Sequence, residues 1–331
     1  MGERRGLGAR RSALGKLLGA RRSALGKLLG ARRPALGGLL GIIIGIAGCS
    51  DSTAPPAPLA AVPDFVYVAD SAGWSNLVLW KSGVRTTLTA SSHNTDPNSQ
   101  GARIVWTSDR VGRLHIFIGH LGATLDSTHQ VTTGNSFNRS AVLSPSGDSI
   151  AFVSTRSGTS KVWLVNTPSL TQATFDAPVA LATGAANYTP EDGPAWNPKG
   201  GTIAFTSVRT GTSQVYVIPS GGGTAIAVTN ESGGAFQPTW SADGTRIYYI
   251  AAVPNIVLRR INADGTQPKT IAGDSLSIGG PASCNADACL FGEDPSGSSG
   301  NMLAAPMSGA PVQQIFPRTA AGERQPAVVR P

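Results

Sequence analysis

One unit recurs along the chain, and it limits the possible fold more than any other feature. It reads SAVLSPSGDSIAFVSTRSGTSKVWLV from Ser140, GPAWNPKGGTIAFTSVRTGTSQVYVI from Gly193 and QPTWSADGTRIYYIAAVPNIVLRRI from Gln237. Each copy holds an apolar run, a Pro/Asp/Gly turn, a second apolar run, a loop and a third, alternating run. A short fourth run follows, as at residues 225–229. A repeat of about 40–50 residues that cannot bury its own apolar faces must stack on its copies, and four short strands per repeat make a propeller blade. Gly147 and Gly244 sit where hairpin turns demand a positive φ. Ile150-Ala151-Phe152 and Ile203-Ala204-Phe205 are almost wholly apolar, as in strands packed on both faces. Val162-Trp163-Leu164 and Val215-Tyr216-Val217 are β-branched and aromatic, which suits a pleated surface.

Second-strand anchors fall at residues 65–69, 104–107, 150–153, 203–206, 247–250 and 290–291, which gives six blades. The first blade lacks a first strand. The match for it lies at the far end of the chain, where Arg324-Gln325-Pro326-Ala327-Val328-Val329 resembles the start of the unit at Gln237-Pro238-Thr239-Trp240. The sequence therefore predicts an all-β, six-bladed propeller over residues 64–331, closed by a C-terminal strand. Closure removes a sheet edge that would otherwise invite aggregation. The 41 glycines and 23 prolines, with only 14% charged residues, fit many short strands and tight turns.

The consensus of these units, PxWSPDGxxIAFxSxRxGxxxIYV, resembles the TolB-type (WD-repeat-like) propeller repeat, most clearly over residues 139–262. The resemblance implies a periplasmic, envelope-associated protein. TolB proteins carry a separate domain before the propeller, which this chain is read as lacking, so their specific partners are not carried over.

Residues 1–48 read as an address. Residues 35–48 are apolar, uncharged and too short to span a bilayer comfortably, and they follow Arg32 and Arg33. Ile46-Ala47-Gly48-Cys49 then resembles a bacterial lipobox, so the expectation is cleavage before Cys49 and lipidation of its thiol. Residues 49–63 form a Pro-rich tether that cannot fold alone. Upstream, residues 7–17, 18–28 and 29–39 are three copies of one 11-residue unit, read as a duplicated coding segment or a start assigned too far upstream. The formal charge of +8 belongs to this region: residues 1–48 hold ten Lys and Arg against the single acid Glu3. From Cys49 onward there are 17 Lys and Arg against 18 Asp and Glu, which gives no footing for nucleic-acid binding.

Few residues suggest chemistry. Cys284 and Cys289 flank the first hairpin of blade six and read as a disulfide in an exported protein. His93, His115, His120 and His129 match no metal motif, and there is no GxSxG elbow. No cofactor or metal is expected. Arg110, Arg156 and Arg209 recur within Ser-x-Arg-x-Gly, and repetition favours a structural contact over a binding ring. The blade-joining segments 91–100, 133–139, 187–193, 231–237 and 319–325 vary, and they carry the candidate partner-binding residues Asn94, Asp96, Asn138, Arg139, Glu191, Asp192, Phe236 and Arg324. The leading expectation is a monomeric, non-catalytic, lipid-anchored envelope protein. It would bind a protein or peptidoglycan-associated partner through one propeller face, with its anchor on the periplasm-facing or outer membrane. The alternative is a glycan-binding protein or enzyme with its site at the central channel.

Overall fold

The computed structural model describes residues 62–167, 169–170, 175–186, 189–253, 255–273, 278, 281–293, 301–307, 311–315 and 323–330. Cys49, the signal segment and most of the tether lie outside them, as do Tyr188 and residues 319–322.

Six four-stranded antiparallel sheets form the ring. Blade one holds β1 (Phe65–Ser71), β2 (Trp74–Lys81) and β3 (Val84–Thr87), and blade two holds β4 (Asn94–Gln100), β5 (Arg103–Ser108), β6 (His115–Leu121) and β7 (Leu125–Gln130). Blade three runs β8 (Asn138–Leu143), β9 (Ser149–Ser154), β10 (Lys161–Asn166) and β11 (Val179–Ala180). Blade four runs β12 (Glu191–Trp196), β13 (Thr202–Ser207), β14 (Gln214–Pro219) and β15 (Ile226–Ala227). Blade five runs β16 (Ala235–Trp240), β17 (Arg246–Val253), β18 (Asn255–Asn262) and β19 (Lys269–Ala272). Blade six has β20 (Ser283–Cys284), β21 (Ala288–Glu293), β22 (Asn301–Pro306) and β23 (Gln313–Gln314). The last strand, β24 (Glu323–Val328), pairs with β1 as the inner strand of blade one. The expected closure is what the fold uses.

Neighbouring strands are antiparallel, so the turns alternate between two faces of the ring. First-to-second and third-to-fourth turns open on a lower face. Second-to-third turns and blade-to-blade connections open on an upper face. The core is divided in the same way as the ring, into six apolar clusters that each fill one blade interface. Val66, Leu77, Trp106 and Phe117 join blades one and two, and Ala151, Val162, Phe205 and Tyr216 join blades three and four. The indole of Trp240 donates to the Ala195 carbonyl at 3.0 Å, which ties blade five to blade four. Cys284 and Cys289 oppose each other in the β20–β21 register and form the disulfide.

Five of the six inner strands carry the same irregularity. The register slips between Thr95 and Asn98, Arg139 and Val142, Asp192 and Ala195, and Phe236 and Thr239, with a matching slip in the β1–β24 pair. At its centre sits a residue with positive φ: Asp96 (52°), Ser140 (53°), Gly193 (52°), Gln237 (51°) or Gln325 (52°). Pro97, Pro194, Pro238 and Pro326 follow four of these. Proline has no N–H to donate, so it belongs at a bulge on an edge strand. Only one blade uses glycine here, so the other four hold a left-handed residue at a cost of about 1 kcal/mol each, stabilised by what surrounds it.

The closing strand is held by charge as well as by backbone pairing. Arg324 pairs with Asp70 and donates to Ser75 Oγ at 3.1 Å, while Ser75 donates to Asp70 at 2.7 Å. Arg85 reaches the buried Glu323 at 3.1 Å. Burial opposes ionisation of Asp70, but the hydrogen bonds from Arg324 and Ser75 outweigh it and hold the carboxyl below its usual range. A carboxylate with a depressed folded pKa stabilises above its unfolded pKa, near pH 4, and loses that contribution as pH falls through the folded value. Asp70→Asn should therefore lower the melting temperature at pH 7 by about 3 °C, roughly 1 kcal/mol for a half-exposed pair. The gap should narrow as pH falls below about 4 and close once it passes the folded value. A gap that persists unchanged there, in calorimetry across pH, would show that Asp70 acts through packing and not through its charge.

Candidate functional site

The expectation that the candidate residues lie in joining loops is corrected by the structure: Asn94, Asp96, Asn138, Arg139, Glu191, Asp192, Phe236 and Arg324 all lie on inner strands. The bulge decides where each side chain goes. Asn94, Asn138 and Glu191, the first residues of β4, β8 and β12, are buried. Each receives a guanidinium from its own blade. Arg110 bonds Ser108 Oγ (3.2 Å) and Asn94 Oδ1 (3.2 Å), and Arg156 bonds Ser154 Oγ (3.1 Å) and Asn138 Oδ1 (3.4 Å). Arg209 bonds Ser207 Oγ (3.2 Å) and Glu191 Oε1 (3.4 Å). All three guanidiniums lie over aromatic rings: Phe117 at 4.5 Å, Trp163 at 4.9 Å and Tyr216 at 4.5 Å. Each Ser-x-Arg is thus a clamp that ties the second-to-third turn of a blade to the head of its inner strand.

Glu191 shows how far the clamp can go. Only 1% exposed, it meets Arg209 at 3.4 Å and Lys161 at 3.7 Å, and it accepts hydrogen bonds from Thr183 Oγ and from Val162 N at 3.3 Å. A carboxylate so enclosed is a structural ion and offers no surface to a partner.

From the second residue of each inner strand through the bulge, side chains face the channel and the upper face. Arg139 reaches across to Asp192 at 2.9 Å, bridging blades three and four. Asp96 and Gln325 exchange hydrogen bonds, with Asp96 N to Gln325 Oε1 at 3.1 Å and Gln325 Nε2 to Asp96 Oδ1 at 2.8 Å. Asp96 also accepts from Thr107 Oγ1 and Ser140 N. Burial pushes its carboxyl above the usual range, against the pull of those donors. Within this ring lies a cavity of about 250 Å³, walled by Pro97, Pro194, Pro238, Pro281 and Pro326. Among the described residues no group of three or more His, Cys, Asp or Glu side chains could hold a metal ion.

The upper face beside the channel mouth differs in character. Phe236 is 37% exposed and lines a groove of about 490 Å³ with Val208, Ile256 and the Arg139–Asp192 pair. Ile256 comes from the β17–β18 hairpin, whose pairing continues past Ala235, the first residue of β16. Trp74, Val111 and Phe137 are also exposed, and all sit in upper-face turns or at their edges. Trp74 packs near His93 (5.5 Å), and Arg113 lies over Phe137 (5.5 Å). Sequence reasoning found Phe236 and missed the other four. The available signal was an isolated apolar residue inside a polar second-to-third turn, as with Val111 between Arg110 and Gly112.

No family model matches the chain. It is 28% identical over 156 residues to the Protein TolB homolog of Chlorobium chlorochromatii (strain CaD3), a match over 46% of this chain and about a third (32%) of that relative's length. The structure resembles TolB from Acinetobacter baumannii with a TM-score of 0.68 at 18% identity, over 83% of this chain and 68% of that one. It resembles the putative TolB from Agrobacterium tumefaciens with a TM-score of 0.62 at 17% identity, over 80% of this chain and 92% of that one. The chain is a TolB-like β-propeller; at these identities the structural likeness speaks to the fold alone.

Glu191→Gln should unfold at lower denaturant, losing about 3 kcal/mol, because it leaves Lys161 and Arg209 without their shared anion. A denaturant midpoint equal to that of the parent protein would show that the buried network is dispensable.

Proposed function

We propose that this chain is a non-catalytic β-propeller of the bacterial envelope, lipid-anchored through Cys49, that binds a protein or peptidoglycan-associated partner with its upper face. The observation that carries the reading is that five of the eight exposed large apolar side chains among the described residues, Trp74, Val111, Phe137, Phe236 and Ile256, lie on that face. An apolar patch edged by polar and charged groups suits a protein interface. The Arg139–Asp192 pair beside Phe236 adds a charged contact at the groove wall. Arg139, Asp192, Arg324 and Phe236 are the candidates with surface to offer, and Phe137 and Trp74 join them. Likeness to TolB proteins supports an envelope location, and the lipobox at Cys49 supports the tether.

A second reading places a glycan or small ligand in the channel. The raised carboxyl of Asp96, half-buried beside a polar cavity, favours it, since perturbed carboxyls cluster at functional sites. Against it, Asp96 and Asp192 already have partners, Gln325 and Arg139.

Two experiments bear on the proposal. In detergent phase separation the expressed protein should enter the detergent phase and Cys49→Ala the aqueous phase, since several acyl chains at about 0.8 kcal/mol per buried methylene prevent release. Aqueous partitioning of both would remove the anchor. In quantitative capture from envelope extracts, Phe137→Ala and Phe236→Ala should each weaken partner binding by about 1–3 kcal/mol while melting within a few degrees of the parent. Lys199→Ala, in a lower-face turn, should leave capture unchanged. If Asp96→Asn abolishes binding while the two phenylalanine variants retain it, the channel reading replaces this one.

A further inference from the structure

The lower face carries a second feature, independent of the upper-face reading. Between blades five and six lies a cleft of about 520 Å³ into which three cations project: Arg246, Arg260 and Lys269. The strand register puts them together. Lys269 opposes Arg260 across the β18–β19 pair, Arg260 opposes Tyr248 across the β17–β18 pair, and Arg246 lies two residues before Tyr248 on the same face of the sheet. Directly opposed residues on one face stand about 5 Å apart at Cβ and diagonal ones about 7–8 Å, so Arg260 and Lys269 sit side by side and Arg246 stands diagonal to Arg260 on the same face.

Most other arginines among the described residues are already engaged. Arg85, Arg139, Arg209, Arg259 and Arg324 pair with carboxylates, and Arg110 and Arg156 lie on aromatic rings. Arg246, Arg260 and Lys269 make no ion pair among the described residues. The one carboxylate in the cleft, Asp243, is already occupied, accepting from Ser241 Oγ at 2.6 Å, Thr245 N at 3.0 Å and Thr245 Oγ1 at 2.8 Å. Three cations therefore face one committed anion, in a domain whose total charge is near zero. Like charges set side by side repel, and an anionic ligand seated among them would relieve that repulsion. The floor is apolar: Tyr248 is buried with its hydroxyl on Met307 Sδ at 3.0 Å, and Ile271 and Ala305 line the wall.

We infer that this cleft binds a phosphate group borne on a small organic body. Two guanidiniums and an ammonium match the several oxygens and multiple charge of a phosphate, where a lone carboxylate would need one arginine. The apolar floor receives the carbon skeleton attached to it. Such a group occurs as a soluble phosphomonoester or as the phosphodiester headgroup of an anionic phospholipid.

The test uses the purified full chain in neutral detergent, titrated calorimetrically with inorganic phosphate, glycerol 3-phosphate and glycerophosphoglycerol, with acetate as the control anion. A phosphate ester should bind more tightly than inorganic phosphate, and acetate should not bind. Tighter binding of the monoester identifies a soluble ligand, and tighter binding of the diester identifies a lipid headgroup. Arg260→Ala and Lys269→Ala should each weaken the ester about tenfold, equal to 1.4 kcal/mol, with melting unchanged. Lys269→Glu, exposed on the outermost strand, supplies the same test if Arg260→Ala fails to fold. The inference is overturned if no phosphate probe binds at millimolar concentration, if acetate binds as well as the esters, or if folded variants bind like the parent.

Discussion

Everything else in this fold depends on the pairing of β24 with β1. Each apolar cluster is shared by two blades, so no blade holds a complete core of its own. Blade six packs on blade one through Leu290, Met302 and Ala304 against Phe65, Tyr67 and Val328, and Val328 belongs to the closing strand. Removing that strand would open the backbone of β1 and strip one wall from two interfaces together. The ionic contacts of Arg324 and Glu323 sharpen the register of a strand that the chain must bring from its far end. Gln325 then reaches on to Asp96 of blade two, so closure and channel lining are built from consecutive residues.

The inner-strand bulge has the second largest consequence. A side chain's face alternates with every residue along a strand, and one inserted residue reverses that phase. Before the bulge, Asn94, Asn138 and Glu191 point into the blade and meet arginine clamps. After it, proline and small polar side chains wall the channel. Blade five solves the same problem differently: Glu231, just before β16, accepts from Tyr249 at 2.7 Å and pairs with Arg259 at 2.6 Å. Burial and this hydrogen bond push the Tyr249 hydroxyl well above its usual range, so it remains a donor. Different residues thus perform one task, the tying of an inner strand to its neighbours.

This phase reversal also separates what was legible in the sequence from what was not. Blade number and closure were readable because they rest on local signals: alternating runs, Gly and Pro at turns, and the likeness of residues 324–329 to 237–240. The structural role of Arg110, Arg156 and Arg209 was readable from their repetition. The burial of Asn94, Asn138 and Glu191 was not, because a bulge leaves no mark in a hydrophobic pattern and polar residues between apolar runs look like a loop. The exposure of Trp74 and Ile256 was equally hidden. Each sits at the edge of a strand rich in apolar residues, and only its distance from the next blade distinguishes it from core. The cationic cluster of blade five was hidden for a further reason, since Arg246, Arg260 and Lys269 are brought together by the register of three strands and by nothing in their spacing.

The clamps bear on how the upper face can carry recognition at all. A turn whose own tip residues hold its shape cannot vary them freely. In blades two and three the shape is held from beneath, by Arg110 and Arg156 on serine, asparagine and aromatic rings. Gly112 and Gly158 take the positive φ at the same place in each turn, with open space around them. The tip between clamp and glycine is therefore released from structural duty, and in blade two it holds the exposed Val111. Phe137 is placed by the same logic, directly ahead of the clamped Asn138, with its backbone N–H on Thr155 Oγ1 at 3.1 Å and its exposed ring covered on one side by Arg113. A buried polar scaffold under each turn thus allows apolar side chains to stand in solvent without weakening the ring, which is the physical condition for a rigid surface that a partner can cover.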